Sequence, residues 1–204
     1  MTEKIAICVP SGSYWNAEMA LSLIDIARTT PFELAVLNLM GSQISLQRNE
    51  LVKLALKTGA TYLYWQDSDM TAPPTTIMEL MCHNKDIVGA TYIKRVPPHK
   101  MLGKLQHADG RLKPATMMPG GCMLVRASVY ETMGWPWYFE TVMEQTEENP
   151  CGMRGEDYGF CHKAGEHGFK LWCDINLSQR LSHIGTRPYR MQLVEGHPDR
   201  VEQE

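Results

Sequence analysis

Long apolar runs are missing from this chain. The longest, such as Ile5 to Val9, are of strand length, too short for a membrane-spanning helix or the hydrophobic region of a signal peptide. A cytoplasmic protein with no membrane partner is therefore the expectation. An excess of charge of one sign is missing too: 20 Lys and Arg stand against 23 Asp and Glu, a formal charge of -3, so no global basic field recommends nucleic acid or anionic lipid, although a local patch remains open. The six cysteines (Cys8, Cys82, Cys122, Cys151, Cys161, Cys173) contain no C-x-x-C pair, and the spacing of Cys161, His162, His167 and Cys173 matches no closed tetrahedral zinc pattern. Reduced thiols acting as small hydrophobes are the expected state. Internal repeats and low-complexity linkers are also lacking. What is present, 44% hydrophobic and 21% charged residues over 204 positions, suits one domain with a real core. We place it at 1–186, with a polar tail from 187 to 204.

Lys4 to Pro10 is a nearly continuous apolar run stopped by Pro10 and Gly12, the mark of a strand buried on both faces. Helical spacing then puts Met19, Leu23 and Ile26 or Ala27 on one face of a segment from Asn16 to Arg28. A second strand over 33–40 precedes a helix over 46–57, capped by Ser45, with Leu51, Leu54 and Ala55 inward and Thr58-Gly59 closing it. Ala60 to Gln66 is a third strand, Pro73-Pro74 opens a helix over 75–83, and Asp86 to Tyr92 is a fourth strand. This alternation predicts an α/β fold with a mostly parallel central sheet flanked by helices, its ligand at the carboxyl ends of the strands. The pattern breaks over 93–118, where a hairpin turn at Asp109-Gly110 predicts a small antiparallel extension. Cys122 to Arg126 is another strand and Ala127 to Met133 a short helix closed by Gly134. Beyond it, Trp135, Trp137 and Tyr138 either stack on a sugar or cover the core, the core being the default. After an acidic stretch over 140–148, a helix starts at Gly155-Glu156-Asp157 with Phe160, Ala164 and His167 on one face. A last strand spans 169–175.

Asp67 and Asp69 end a strand whose preceding residues, Tyr62 to Trp65, mark it as buried. Two carboxylates emerging together at a sheet edge repel unless a cation lies between them, and Mg²⁺ or Mn²⁺ completes such a shell with substrate phosphates. Glu156 and Asp157 at a helix start either cap free N–H groups or put a general base into a cleft. Lys94, Arg95, Lys100 and Lys104, in a segment without acids between Asp86 and Asp109, either neutralise a diphosphate or form a solvated loop. Arg48-Asn49 could bond a nucleobase, a ribose or a nearby carboxylate. His183 alone carries little weight.

In order and spacing these pieces resemble a GT-A glycosyltransferase of the family 2 type, in the compact form found in bacteriophage and prophage genomes. The resemblance rests on Ile5 to Pro10, Arg48-Asn49, Tyr64 to Met70, Asp86 to Gly89, Gly120 to Arg126, Gly155 to Tyr158 and His183. It implies a GT-A-like, Rossmann-like domain that moves a hexose or pentose from a nucleotide-diphosphate sugar, UDP-linked by preference, to a hydroxyl acceptor with Mn²⁺ or Mg²⁺. Carried onto this chain, it makes Asp69, Asp67 and His183 the metal group, with Asp67 also at the ribose or base. Asp157, beside Glu156, becomes the catalytic base of an inverting reaction. Pro10, Ser11, Arg48, Asn49, Ser68, Lys94, Arg95, Gly120, Gly121 and Cys122 fall at the donor. A phage origin adds a hydroxymethylated DNA base as a candidate acceptor, and host cytoplasm as the location. Two rivals stay open: a nucleotidyltransferase that makes sugar nucleotides, which should carry more glycine than Pro10-Ser-Gly-Ser13 after its first strand, and a non-catalytic nucleotide- or carbohydrate-binding module.

Overall fold

The computed structural model describes residues 3–142, 145, 152–185, 188–189, 191–194 and 197–203. Cys151 and most of the acidic stretch over 140–148 lie outside them. The strands are β1 (Lys4–Ser11), β2 (Glu33–Met40), β3 (Tyr62–Gln66), β4 (Met70–Thr71), β5 (Ile87–Gly89), β6 (Lys104–Leu105), β7 (Leu112–Met117), β8 (Cys122–Arg126), β9 (Thr141–Val142), β10 (Met153–Arg154), β11 (Leu171–Asp174), β12 (Ser182–Ile184), β13 (Pro188–Tyr189), β14 (Met191–Val194) and β15 (His197–Gln203). The helices are α1 (Ala17–Thr29), α2 (Ile44–Lys57), α3 (Thr76–Cys82), α4 (Ala127–Met133), α5 (Glu156–Glu166) and α6 (Ile175–Ser178).

Eight strands form one sheet in the order β2-β1-β3-β8-β5-β11-β7-β6. β1 pairs parallel with β2 and β3, and β5 with β11, so these five strands share one direction. β8 inserts antiparallel between β3 and β5. Because β8 runs backwards, its beginning meets the carboxyl ends of its neighbours and delivers Gly120 and Gly121 to the edge where β3 releases Asp67. The expected hairpin at Asp109-Gly110 joins the antiparallel margin, where β7 pairs with β6 and β11 and Gly110 has φ 94°.

Period-two alternation divides the core. Ala6, Cys8, Leu63 and Trp65 face α2, α4 and α5, whereas Ile5, Ile7, Val9, Tyr62 and Tyr64 face α1 and α3. Asn16 caps α1 by accepting from the Glu18 N–H at 2.8 Å, and its buried stripe is the expected Met19, Leu23 and Ile26, each contributing about 1.5–3 kcal/mol by leaving water.

Several local expectations are corrected. α2 begins at Ile44, so Ser45 lies inside its first turn rather than capping it, and Leu54 is 38% exposed while Gln47, Arg48 and Asn49 are buried. Leu51 and Ala55 are buried as expected, with Val52, so the inward face of this helix is shared by apolar residues and by polar ones that find partners. The fourth strand stops at Gly89, because the Thr91 N–H turns to Ser178 Oγ at 3.0 Å. The last expected strand ends at Asp174, whose side chain caps α6. His167 is exposed at the end of α5. Trp137 and Tyr138 are buried as core, but Trp135 is 65% exposed. In the polar tail, β13 pairs with β12 and β14 with β15.

Candidate functional site

β3 ends as its buried aromatic run meets polar Asp67-Ser68-Asp69, and this turn lies at the carboxyl edge as the topology requires. A cleft of about 220 Å³ opens there between the ends of β1, β2 and β3, lined by Pro10, Ser11, Gly12, Gln47, Asp67, Ser68 and Asp69 among others. A second cavity of about 400 Å³ shares Gly12, Ser68 and Asp69 and continues past Tyr14 and Asn16 to Arg95 and Ile184. A larger cavity of about 620 Å³ lies between β7, β11 and the end of α5, lined by residues such as Ala115, Phe169 and Leu171. It holds none of the motif carboxylates, whereas Asp67 and Asp69 line the edge clefts.

Asp69 and His183 are 114 positions apart and come together because β4 pairs antiparallel with β12: His183 lies opposite Met70, and the Ile184 N–H donates to the Asp69 carbonyl at 2.7 Å. His183 Nδ1 is 2.8 Å from the Ile93 carbonyl. A carbonyl only accepts, so Nδ1 carries hydrogen and Nε2 is left to face Asp69 Oδ2 at 3.7 Å. Tyr92 packs edge-on against the imidazole, centroids 5.0 Å apart. Arg95 Nη1 holds the same Asp69 oxygen at 2.8 Å and the Ile184 carbonyl at 3.2 Å. Burial pushes the Asp69 carboxyl upward, but His183 and Arg95 outweigh it and hold it below the usual carboxylate range.

Asp67 faces the other way. Its Oδ1 accepts from Arg48 Nη2 at 2.7 Å. Burial raises its pKa against the opposing pull of Arg48. Arg48 is 2% exposed and also donates through Nε to Glu156 Oε1 at 3.0 Å and through Nη1 to the Gly120 carbonyl at 3.4 Å. Of the three roles open to Arg48, the structure gives it the nearby carboxylate. Glycine is required beside it: a Cβ at Gly120 would stand 2.7 Å from the guanidinium, and one at Gly121 would meet the Tyr92 hydroxyl and lie 2.8 Å from Asp67.

Asp157 opens α5. Its Oδ1 accepts from the Tyr158 N–H at 2.8 Å, so it partly serves as a cap. Burial, with Glu156 adjacent, raises its pKa to about 6, Arg48 pulling the other way. The result is a carboxylate ionised at neutral pH yet basic enough to take a proton.

The expected site residues therefore divide. Pro10, Ser11, Asp67, Ser68, Asp69 and Arg95 line the clefts, with His183 against Asp69. Asn49 does not join them: its amide bonds the Ser45 and Tyr138 carbonyls and accepts from the Trp137 and Tyr138 N–H groups, which fixes the α4 exit to α2. The Cys122 thiol points at Tyr64 in the core, where burial pushes it up to about 12. Glu156 is tied to Arg48, and Lys94 is exposed and lines neither cleft. Sequence reasoning missed Gln47, which anchors the Ser11 carbonyl at 3.0 Å, and Tyr92, whose hydroxyl accepts from the Gly121 N–H at 3.1 Å. Tyr92 follows a strand at the same edge as Asp67, and that signal could have found it.

A cation suits the donor chemistry here. Asp69 offers a hard carboxylate and His183 a ring nitrogen aimed at it, with its other nitrogen fixed by a carbonyl. Among the described residues no three His, Cys, Asp or Glu side chains form a metal cage, so an ion at this pair would share its shell with substrate and water.

Residues 26–106 match the Anp1 family model, which is less than half of the chain. Over 63 residues the chain is 41% identical to the mannan polymerase II complex ANP1 subunit of Saccharomyces cerevisiae; the match covers 30% of this chain and 12% of the yeast protein. Among solved structures, A197 from STIV aligns over 99% of this chain and 94% of its own, with a TM-score of 0.57 and 13% identity. GalNAc-T7, crystallised with UDP, GalNAc and Mn²⁺, aligns over 90% of this chain and 44% of its own, with a TM-score of 0.58 and 10% identity. At such identities the likeness is one of fold, and it bears out the GT-A-like α/β architecture. Among the described residues no helix is long and apolar enough to cross a membrane.

Proposed function

We propose that this chain is a metal-dependent glycosyltransferase that moves a sugar from a nucleotide-diphosphate donor to a hydroxyl acceptor. The observation that carries the reading is Asp69, which lines both clefts at the carboxyl edge of a GT-A-like sheet and has His183 beside it at 3.7 Å. GalNAc-T7, a neighbour in fold, was crystallised with UDP and Mn²⁺, which supports UDP and a divalent cation here. The donor would lie along Pro10, Ser11 and Ser68 with its diphosphate toward Asp69.

Mn²⁺ or Mg²⁺ held by Asp69 and His183 would supply charge stabilisation to the departing diphosphate. Asp67, bound to Arg48, is better placed at the ribose than as a third metal ligand. Asp157 takes the proton of the acceptor hydroxyl as its oxygen bonds the anomeric carbon and the glycosyl–phosphate bond breaks. Glu156, held by Arg48, supports that base instead of sharing its work. Arg95 puts a guanidinium on the Asp69 oxygen that would hold the cation, and with a metal there it would be free to bond the diphosphate.

That exchange gives the first expected result. Arg95→Ala should bind Mn²⁺ alone severalfold more tightly, because a competing guanidinium is gone, and should bind UDP in the presence of Mn²⁺ about tenfold more weakly. Calorimetry reads both. Unchanged Mn²⁺ affinity would remove Arg95 from the metal site.

For the acceptor, the match to a mannan polymerase subunit favours a glycan hydroxyl. A hydroxymethylated DNA base of a phage remains the second reading because Lys94, Lys100 and Lys104 are exposed together on the segment beside the site. Against it stand the charge of -3 and the engagement of Arg95 with Asp69. The deciding assay incubates the protein and Mn²⁺ with a panel of uridine- and guanosine-diphosphate sugars, each with mannose oligosaccharides or hydroxymethylated duplex DNA, followed by mass spectrometry. Added sugar mass on the oligosaccharides is expected; added mass on nucleosides would install the DNA reading. No transfer and no nucleotide binding would sink the glycosyltransferase assignment.

A further inference from the structure

We propose that Arg48 is the positioning residue of this site, a buried clamp that fixes the distance between the donor-side strand end and the helix that carries the base. The proposal rests on the glycosyltransferase reading and adds to it a residue that touches neither donor nor acceptor.

One guanidinium bonds three separate pieces of chain: Asp67 after β3 at 2.7 Å, Glu156 at the start of α5 at 3.0 Å, and the Gly120 carbonyl before β8 at 3.4 Å. It is 2% exposed, so it has no face for the donor. Trp65 and Tyr138 hold its plane, with Cζ 5.1 Å and 5.6 Å from their ring centroids, and Asn49 on the same helix pins Tyr138. A buried charge cluster of this kind is a poor way to gain stability, since apolar side chains of similar volume often do as well or better. What a planar fork supplies is angular and distance control over the groups it bonds. The groups so controlled are Asp67, two residues before Asp69, and Glu156, adjacent to Asp157. Lysine carries the same charge on one nitrogen and cannot span all three partners.

The clamp also sets the electrostatics of the base. The charged and titratable groups that act on or feel Asp157 are Glu156 on its own helix, Arg48 from α2, Asp67 from the end of β3, the Tyr92 hydroxyl, and Cys161 one turn along α5. Glu156 and Arg48 push it in opposite directions. Removing one or the other should therefore move its titration oppositely, which a loss of packing alone would not do.

The test compares wild type with Arg48→Lys, Arg48→Met and Glu156→Gln by thermal melting, calorimetry of Mn²⁺ with UDP, pH profiles of kcat, and carboxyl NMR titration of Asp157. Glu156→Gln should move the Asp157 midpoint and the acid limb of kcat to lower pH. Arg48→Met should move both to higher pH. Arg48→Lys should leave the midpoint near that of wild type while lowering kcat about tenfold or more, the scale of a small misplacement of reacting groups. If Arg48→Met does not fold, the contrast between Arg48→Lys and Glu156→Gln carries the test. Shifts of one sign in all folded variants, or a kcat for Arg48→Lys equal to that of wild type, would overturn the proposal. The NMR titration does not depend on turnover, so opposite midpoint shifts in a protein that binds no nucleotide and transfers no sugar would leave the clamp standing and sink the glycosyltransferase reading instead.

Discussion

Replacing Asp157 with Asn should lower sugar transfer by roughly 10²-fold or more, the scale of losing a positioned base, while Mn²⁺-dependent UDP affinity holds and the melting temperature at pH 7.5 stays level or rises. The first part follows from the proposed role of Asp157 as the base that takes the acceptor proton. The second follows because Asp157 lines neither of the clefts proposed to take the donor. The third follows from linkage. The folded pKa of Asp157 is about 6 against 3.8 for the free side chain, so folding favours its protonated form, and holding it ionised above pH 6 costs stability that a neutral amide does not. The same pKa sets the wild-type profile: activity should fall as pH drops through about 6 and be insensitive to this group above it. A variant that loses UDP binding and turnover equally, or melts well below wild type, would make Asp157 a helix cap and not a base.

Asp69→Ala should reduce Mn²⁺-dependent UDP binding by about 10²-fold or more, because it removes the hard oxygen ligand that water cannot replace at the same geometry. The variant should fold, since the pairing that brings His183 to this point uses the Asp69 backbone carbonyl, bonded to the Ile184 N–H at 2.7 Å, and not its side chain. UDP binding measured without metal should change little, which separates loss of a cation from loss of a nucleotide pocket. Equal UDP affinity in variant and wild type with saturating Mn²⁺ would overturn the metal assignment. His183→Ala should fall between the two, because the carboxylate and the diphosphate still hold the ion.

The layered α/β fold, the burial of β1 on both faces and the emergence of Asp67 and Asp69 at the sheet's carboxyl edge were determined by the sequence itself. Each depends on local pattern: apolar runs of strand length, helical spacing of Met19, Leu23 and Ile26, and an abrupt change from aromatic to acidic residues after Gln66. Periodicity reports which residues must leave water within one element, and it does so without knowledge of any other element. The tertiary structure alone decided the rest. It reversed β8 between β3 and β5, bringing Gly120 and Gly121 to the edge, and it paired β4 with β12, joining Asp69 to a histidine 114 positions away. It turned Arg48 and Asn49 inward and left Leu54 exposed, against the pattern of apolar residues in α2. A buried polar side chain is stable only where partners meet it, and the partners of Arg48 and Asn49 come from the turn after β3, the segment before β8, the α4 exit and α5. Their hydrogen bonds leave no period in the sequence, because they are set by the spacing of distant backbones after the sheet has closed around them.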